Sequence, residues 1–254
     1  MRGSLPVVTT LTVPGASLHV ERAGQGSPLL FVMGSGSALG DGLRPATLPL
    51  SRHFDVASWD HRGLGESSSD EVPVTMRDFA ADALAVADSL GWQAFSVFGI
   101  SFGGMVAQEL AVTVPGRVTR LVLGCTSPGG DGGSSYPLHE RPSPEVMARI
   151  VDTRPEVAAS LLELFGTRPP PREPGYELQL QARRDHDVWD RLPQVTAPTL
   201  VQAGRFDGIA PPENSRRIAE RIPGARLEVY DGGHAFYFPD ERAWADAVAF
   251  LKER

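Results

Sequence analysis

A single cysteine in 254 residues, Cys125, excludes any intrachain disulfide, and nothing in the chain marks an oxidising compartment. No apolar run approaches the ~18 residues of a membrane-crossing helix, and Met1 to Pro6 lacks the apolar core of a signal peptide. Positive charge is also short: 24 Lys and Arg stand against 31 Asp and Glu, a formal net charge of −7. That balance disfavours nucleic acid and anionic membranes as general partners. Internal repeats and a phosphate-binding loop ending in Lys-Ser or Lys-Thr are absent too. What is left is an ordinary globular composition, 41% hydrophobic, of a length that suits one large α/β domain or a domain with an insertion. These exclusions predict a cytoplasmic protein.

Strand and helix signals alternate along the chain. Val7 to Val13 and Ser17 to Arg22, around Pro14-Gly15, predict a half-exposed β-hairpin. Leu29 to Met33, Phe54 to Trp59, Phe95 to Phe98 and Arg120 to Gly124 are short apolar runs, as in strands buried on both faces. Thr75 to Leu90 carries apolar residues at helical spacing, opened by a Thr75–Asp78 capping box and stopped by Gly91. From 127 to 145 the chain turns rich in Gly, Ser and Pro. Three helices follow, Pro144 to Asp152, Pro155 to Phe165 and Tyr176 to Leu192, with no strand candidate before 197. Alternation then resumes, with strands at Thr199 to Ala203 and Arg226 to Tyr230 and helices at Pro212 to Arg221 and Pro239 to Lys252. The expected architecture is an α/β core of 1–126 and 197–254, with a mostly parallel sheet flanked by helices, and a helical cap inserted at 127–196.

The densest chemical signal is Gly99-Ile100-Ser101-Phe102-Gly103, where an apolar strand passes into a helix without a loop. Such a turn forces its central residue into a strained conformation with φ > 0 and crowds the positions two residues either side, where glycine stands. It lifts the Ser101 hydroxyl clear of a sheet edge and aims the next helix's first N–H groups at whatever the serine attacks. A serine hydroxyl needs a general base, and a histidine base needs a carboxylate to hold its ring. Of six histidines, His234 follows the last strand behind two glycines, at the same carboxyl edge as Ser101. An isolated loop histidine is ordinarily a solvated one; order and edge single out His234. Asp207, after the preceding strand, is the expected carboxylate, with Asp231 a rival too close to its strand end. The N–H of Phe102, and that of Ser35 or Gly34 in the loop after Met33, are the expected oxyanion donors. Gly34-x-Gly36-x-x-x-Gly40 mimics a dinucleotide fingerprint, but Pro45 and Pro49 interrupt the helix that would follow. Asp185-His186-Asp187 reads as a solvated helix face, since adjacent helical residues diverge.

The order Gly99-Ile100-Ser101-Phe102-Gly103-Gly104, Asp207, His234, with the insertion between, resembles the α/β-hydrolase superfamily over nearly the whole chain. Asp60-His61-Arg62-Gly63-Leu64-Gly65-Glu66-Ser67 resembles that family's Asp-x-Arg-Gly-x-Gly-x-Ser turn, which implies a structural His61. Met33-Gly34 stands where the family has His-Gly and resembles the branch of polyketide-tailoring methylesterases of the aclacinomycin methylesterase type. The family's alternative acid position reads Gly124-Cys125-Thr126, without a carboxylate. The resemblance implies a cofactor-independent, metal-free serine hydrolase that cleaves an ester or lactone through an acyl-enzyme. Enol-lactonase and haloperoxidase-like activity are alternatives within that chemistry, and a small-molecule receptor of the same fold is an alternative outside it. Leu161, Leu164, Phe165, Leu180 and Trp189, with Phe206 and the stretch from Phe236 to Phe238, suggest an apolar or aromatic pocket.

Overall fold

The computed structural model describes residues 7–70, 73–165, 174–238 and 241–253. Eight strands form one sheet: β1 (Val7–Val13), β2 (Ala16–Gly24), β3 (Pro28–Val32), β4 (Asp55–Trp59), β5 (Phe95–Ile100), β6 (Val118–Gly124), β7 (Thr199–Gly204) and β8 (Arg226–Tyr230). Their spatial order is β1-β2-β4-β3-β5-β6-β7-β8. The expected hairpin, β1 with β2, is antiparallel and β2 runs antiparallel to β4, while every pair from β4 to β8 is parallel. The chain passes from β3 outward to β4, then returns across β3 to β5. The order therefore reverses at β3 and β5, and their carboxyl ends are where an open α/β sheet leaves a crevice.

Two apolar layers cover the sheet, and alternate strand residues feed them. Leu30 and Val32 of β3 and Val97 of β5 join one core, closed by α1 (Met76–Ser89) and α2 (Phe102–Thr113) through Phe79, Val86, Phe102, Val106 and Leu110. Leu29, Phe31 and Phe98 point to the other, which holds Leu39, Leu48 and Leu50 and is closed by Phe250 and Leu251 of α7 (Glu241–Lys252). α6 (Pro212–Arg221) lies on the first face through Ile218. Between 39 and 52 only short 3-10 turns form, as the prolines there require.

Residues 127–196 contribute no strand to the sheet among the described residues; they hold one isolated bridge, Gly129 with Asp187. α3 (Pro144–Val151), α4 (Pro155–Phe165) and α5 (Pro174–Arg184) lie where three helices are expected. The third differs in its end. The pattern predicts helix to Leu192, yet α5 stops at Arg184 and a 3-10 turn covers Trp189–Gln194. The break arises because 187–189 bond elsewhere. The Val188 N–H donates to Pro128 O at 3.0 Å, and the Asp187 carboxylate accepts the Trp189 N–H at 3.1 Å. Of the trio read as a solvated face, Asp185 and Asp187 are exposed but His186 is buried. The final helix is described from Glu241; its predicted start at 239 and 240 lies outside the described residues.

Candidate active site

Ser101 joins β5 to α2 with φ 56° and ψ −116°, the strained conformation the turn demands. A Cβ on Gly99 would lie 2.2 Å from Gly103 O, and one on Gly103 2.0 Å from Val32 O. Any side chain at either place would force the elbow open. The loop after β3 touches the serine from the other side: a Cβ built on Gly34 lies 3.5 Å from that of Ser101.

The three residues expected to act together are within hydrogen-bond reach. His234 Nε2 is 2.9 Å from Ser101 Oγ, and His234 Nδ1 is 2.8 Å from Asp207 Oδ2. The other carboxylate oxygen of Asp207 accepts the N–H groups of Ile209 and Ala210, both at 2.8 Å, which fixes the plane of the acid. The His234 N–H donates to Val151 O at 2.6 Å, tying its loop to the end of α3. That approach explains one glycine before it, since a Cβ on Gly233 would lie 2.0 Å from the same Val151 oxygen. Asp231, the rival acid, is exposed and faces Arg154 instead.

The N–H groups of Ser35, Gly34 and Phe102 have no acceptor among the described residues, and Ser35 and Gly34 line the pocket beside Ser101. Two groups hold this region in place. Gln179, a fully buried residue of α5, accepts the Gly36 N–H at 2.8 Å. His61 Nε2 sits 3.3 Å from Met33 O, while its ring packs edge-on against Phe102, centroids 5.5 Å apart. His61 thus touches both sides of the expected oxyanion site and takes no part in the Ser101–His234–Asp207 chain. The rest of its turn is structural as well. Asp60 accepts the N–H groups of Leu39 and Glu66, and Arg62 forms a two-pronged ion pair with Asp82 of α1 at 2.8 and 2.7 Å.

His61 is structural, as its turn implies, whereas Gln179 belongs to no motif in the sequence. For Gln179 a signal exists: with Tyr176, Leu180 and Arg183 it lies on one helical stripe, and a polar residue on an inward stripe needs a partner.

Burial drives the His61 ring down to about 4, and does the same to His186. Both are neutral when folded, whereas an unfolded histidine takes its proton near 6.5. The unfolded chain then binds more protons between those values, so stability is complete above about pH 6.5 and falls as the pH drops towards 4. Each histidine contributes up to about 3 kcal/mol to that loss. Urea unfolding at pH 7, 5.5 and 4.5 measures it. The acid limb should flatten in His61→Gln, and an unchanged unfolding free energy down to pH 4.5 refutes the account.

One grouping of metal-type donors occurs among the described residues: Cys125, Asp207 and His234, within 4.8 Å of one another. It fits a metal poorly. Both ring nitrogens of His234 are already engaged, and burial pushes the Cys125 thiol well up, so it stays protonated.

The pocket at Ser101 and His234 has a volume of 380 Å³. Its walls are apolar: Phe31, Met33, Leu43 and Ile100 from the β3 and β5 side, Leu138, Met147, Val151 and Tyr176 from the stretch between β6 and β7, and Tyr237, Phe238 and Trp244 from the C-terminal part. Of the residues expected to line it, Tyr237 and Phe238 do. Leu180 packs in a neighbouring apolar cluster with Leu161 at its edge, Phe206 lies under Arg154, and Trp189 sits away from the pocket beneath Arg217 and Arg221. The side chains of Leu164 and Phe165 are outside the described residues.

Known proteins resemble this chain in sequence and fold. A family model described as the alpha/beta hydrolase fold matches residues 39–134. A poly(3-hydroxyalkanoate) depolymerase of Ectopseudomonas oleovorans is 30% identical over 247 residues, spanning 89% of this chain and 85% of its own. A protein of Azorhizobium caulinodans that carries the name carbamate hydrolase RutD is 30% identical over 246 residues, spanning 87% and 89%. The crystal structure of an enol-lactonase from Burkholderia xenovorans LB400 superposes with a TM-score of 0.80 at 25% identity, over 96% of this chain and 100% of that one. The chain belongs to the alpha/beta hydrolase family, and it is a hydrolase. Among the described residues no helix is long and apolar enough to cross a membrane.

Proposed function

We propose that this hydrolase cleaves a carboxylic ester or lactone of an apolar small molecule through an acyl-enzyme on Ser101. The observation that carries the reading is the continuous Ser101–His234–Asp207 hydrogen-bond chain, with bonds of 2.9 and 2.8 Å, at the wall of an apolar cavity. Ser101 Oγ attacks the carbonyl carbon while its proton passes to His234 Nε2. Asp207 accepts the Nδ1–H bond and stabilises the imidazolium. The tetrahedral oxyanion is held by the N–H of Phe102 and by that of Ser35 or Gly34, each donor contributing about 10²–10³ in rate. His234 then returns the proton to the leaving alcohol, and water repeats the sequence to release the acid. The inserted segment 127–196 acts as a cap whose Leu138, Met147, Val151 and Tyr176 select the substrate.

A lactone is favoured as one form of the substrate by the similarity to the enol-lactonase. Opening a lactone uses the same steps, except that the leaving alcohol stays attached to the acyl group. The test is a fluorophosphonate label followed by a substrate screen. Label is expected on Ser101, and turnover is expected to be greatest on p-nitrophenyl esters of medium chain length or on a parallel lactone series. Labelling without turnover on either panel would favour a receptor role instead.

Gln179 is a positioning residue in this scheme, acting through the Gly36 N–H. Gln179→Leu should lower kcat about tenfold with a smaller change in KM, because a displaced loop weakens binding in the transition state more than in the ground state. Gln179→Glu, which keeps an acceptor oxygen, should retain more of the rate. Equal losses in both variants, or a change confined to KM, would remove Gln179 from this role.

A further inference from the structure

A second cavity, of 360 Å³, lies beside the first and shares no lining residue with it. Met105 of α2, Ser127, Ser135, Leu180 and Arg183 of α5, and His186 line it. Its chemistry differs from that of the apolar pocket, since two polar side chains there, His186 and Ser135, lack partners among the described residues. His186 is 4% exposed, and neither ring nitrogen makes a hydrogen bond; the Ser127 backbone lies near one of them without reaching bonding geometry. Ser135 Oγ is buried and unpartnered. The Arg183 guanidinium donates to Tyr136 O at 2.8 Å, yet no carboxylate lies within ion-pair distance of it among the described residues. Burial pulls its pKa below the ordinary arginine value.

A buried donor left unmet is destabilising, and an incompletely paired cation more so. These groups are all able to donate, and they face one space. Donors without acceptors call for an acceptor from outside the chain. The charge to be balanced is single. Arg184 is paired with Asp185, and His186 is neutral at pH 7. Glu109, whose charge reaches His186, is held by Arg191 at 2.8 and 2.6 Å, and Asp207, whose charge reaches Arg183, is held by His234 and by the N–H groups of Ile209 and Ala210. A phosphate dianion would overshoot that charge, whereas a carboxylate matches it and suits a guanidinium fork.

We propose that the chamber between α2, α5 and the 127–137 loop is a binding site for a small organic carboxylate, anchored by Arg183 with His186 and Ser135. It shares no lining residue with the Ser101 pocket.

Calorimetric titration of the purified protein with benzoate tests it, with benzamide as the uncharged counterpart. Benzoate should bind the wild type, benzamide should not, and inorganic phosphate should compete poorly. Arg183→Met should weaken benzoate binding by about tenfold or more, while Arg183→Lys should keep part of it. Ser135→Leu, which fills the chamber while leaving the arginine in place, should give the same loss even if Arg183→Met fails to fold. Met147→Trp, which fills the apolar pocket instead, should leave binding unchanged. No binding to the wild type, equal binding of benzamide, equal binding by a folded Arg183→Met, or loss confined to Met147→Trp would overturn the assignment. The last outcome would place the benzoate in the Ser101 pocket.

Discussion

Ser101→Ala is expected to lower kcat by about 10⁵–10⁶-fold and to leave the thermal unfolding midpoint nearly where it was. The two expectations have separate causes. Ser101 Oγ is the atom that would form the acyl bond, and its loss leaves His234 with no proton to accept. The rate that survives would come from the oxyanion donors and from binding alone, since neither depends on the hydroxyl. Stability is spared because the strain at φ 56° is a backbone property that alanine bears as serine does, and the hydroxyl has one partner among the described residues, His234. Gly99 and Gly103, which relieve the crowding, are untouched. Kinetics on the best ester found in the screen, beside a melting curve, provide the measurement. A variant with wild-type turnover would remove Ser101 as nucleophile; a variant that melts far below the wild type would mean that the elbow needs the Ser101–His234 bond to form.

Asp82→Ala is expected to cost about 3–5 kcal/mol of folding stability. Asp82 and Arg62 are both nearly excluded from water, with side chains 2% and 5% exposed, and they meet through two hydrogen bonds. Removing the acid strands a guanidinium that has already lost its water. Burial itself pushes Asp82 upward in pKa against the pull of Arg62, the mark of a charge whose desolvation is only partly repaid. Replacing the whole pair should therefore be milder than removing one partner. Arg62→Met with Asp82→Leu is expected to recover much of the loss, whereas additive losses would mean that each residue acts alone. For a domain of this size the single variant should melt about 10 °C lower. Because Arg62 follows His61, the single variant should also lower kcat, by loosening the Met33 and Phe102 contacts that His61 makes.

Much of this molecule is legible in one dimension. Short apolar runs with helical stretches between them dictate a parallel sheet, because each run must be buried on both faces. Ser101, Asp207 and His234 can be picked out because each stands just beyond the carboxyl end of a strand, within the loop or turn that leaves it, and parallel strands carry all such positions to one edge. Gly99, Gly103 and Gly233 are explained by the backbones that pass close to them. Local turn chemistry marks those places before any contact is known.

Other features depend on contacts between distant parts of the chain. Trp189 and Phe206 have the composition of pocket residues, yet their rings lie under arginines elsewhere, and Phe31 and Trp244, more than 200 positions apart, form the pocket wall. The break after Arg184 follows from a hydrogen bond to Pro128, which no helical pattern records. His186, read as part of a solvated face, is buried by the same crossing. Periodicity and backbone sterics within a few residues are enough to specify the sheet, the elbow and the order of the proposed nucleophile, acid and base. Which side chains wall the pocket, what holds the Gly34–Gly36 loop, and the second, donor-lined chamber behind α5 emerge from long-range packing alone. Those depend on which faces of separately folded segments come to pack together, and an amphipathic pattern specifies that a face is buried without naming its partner.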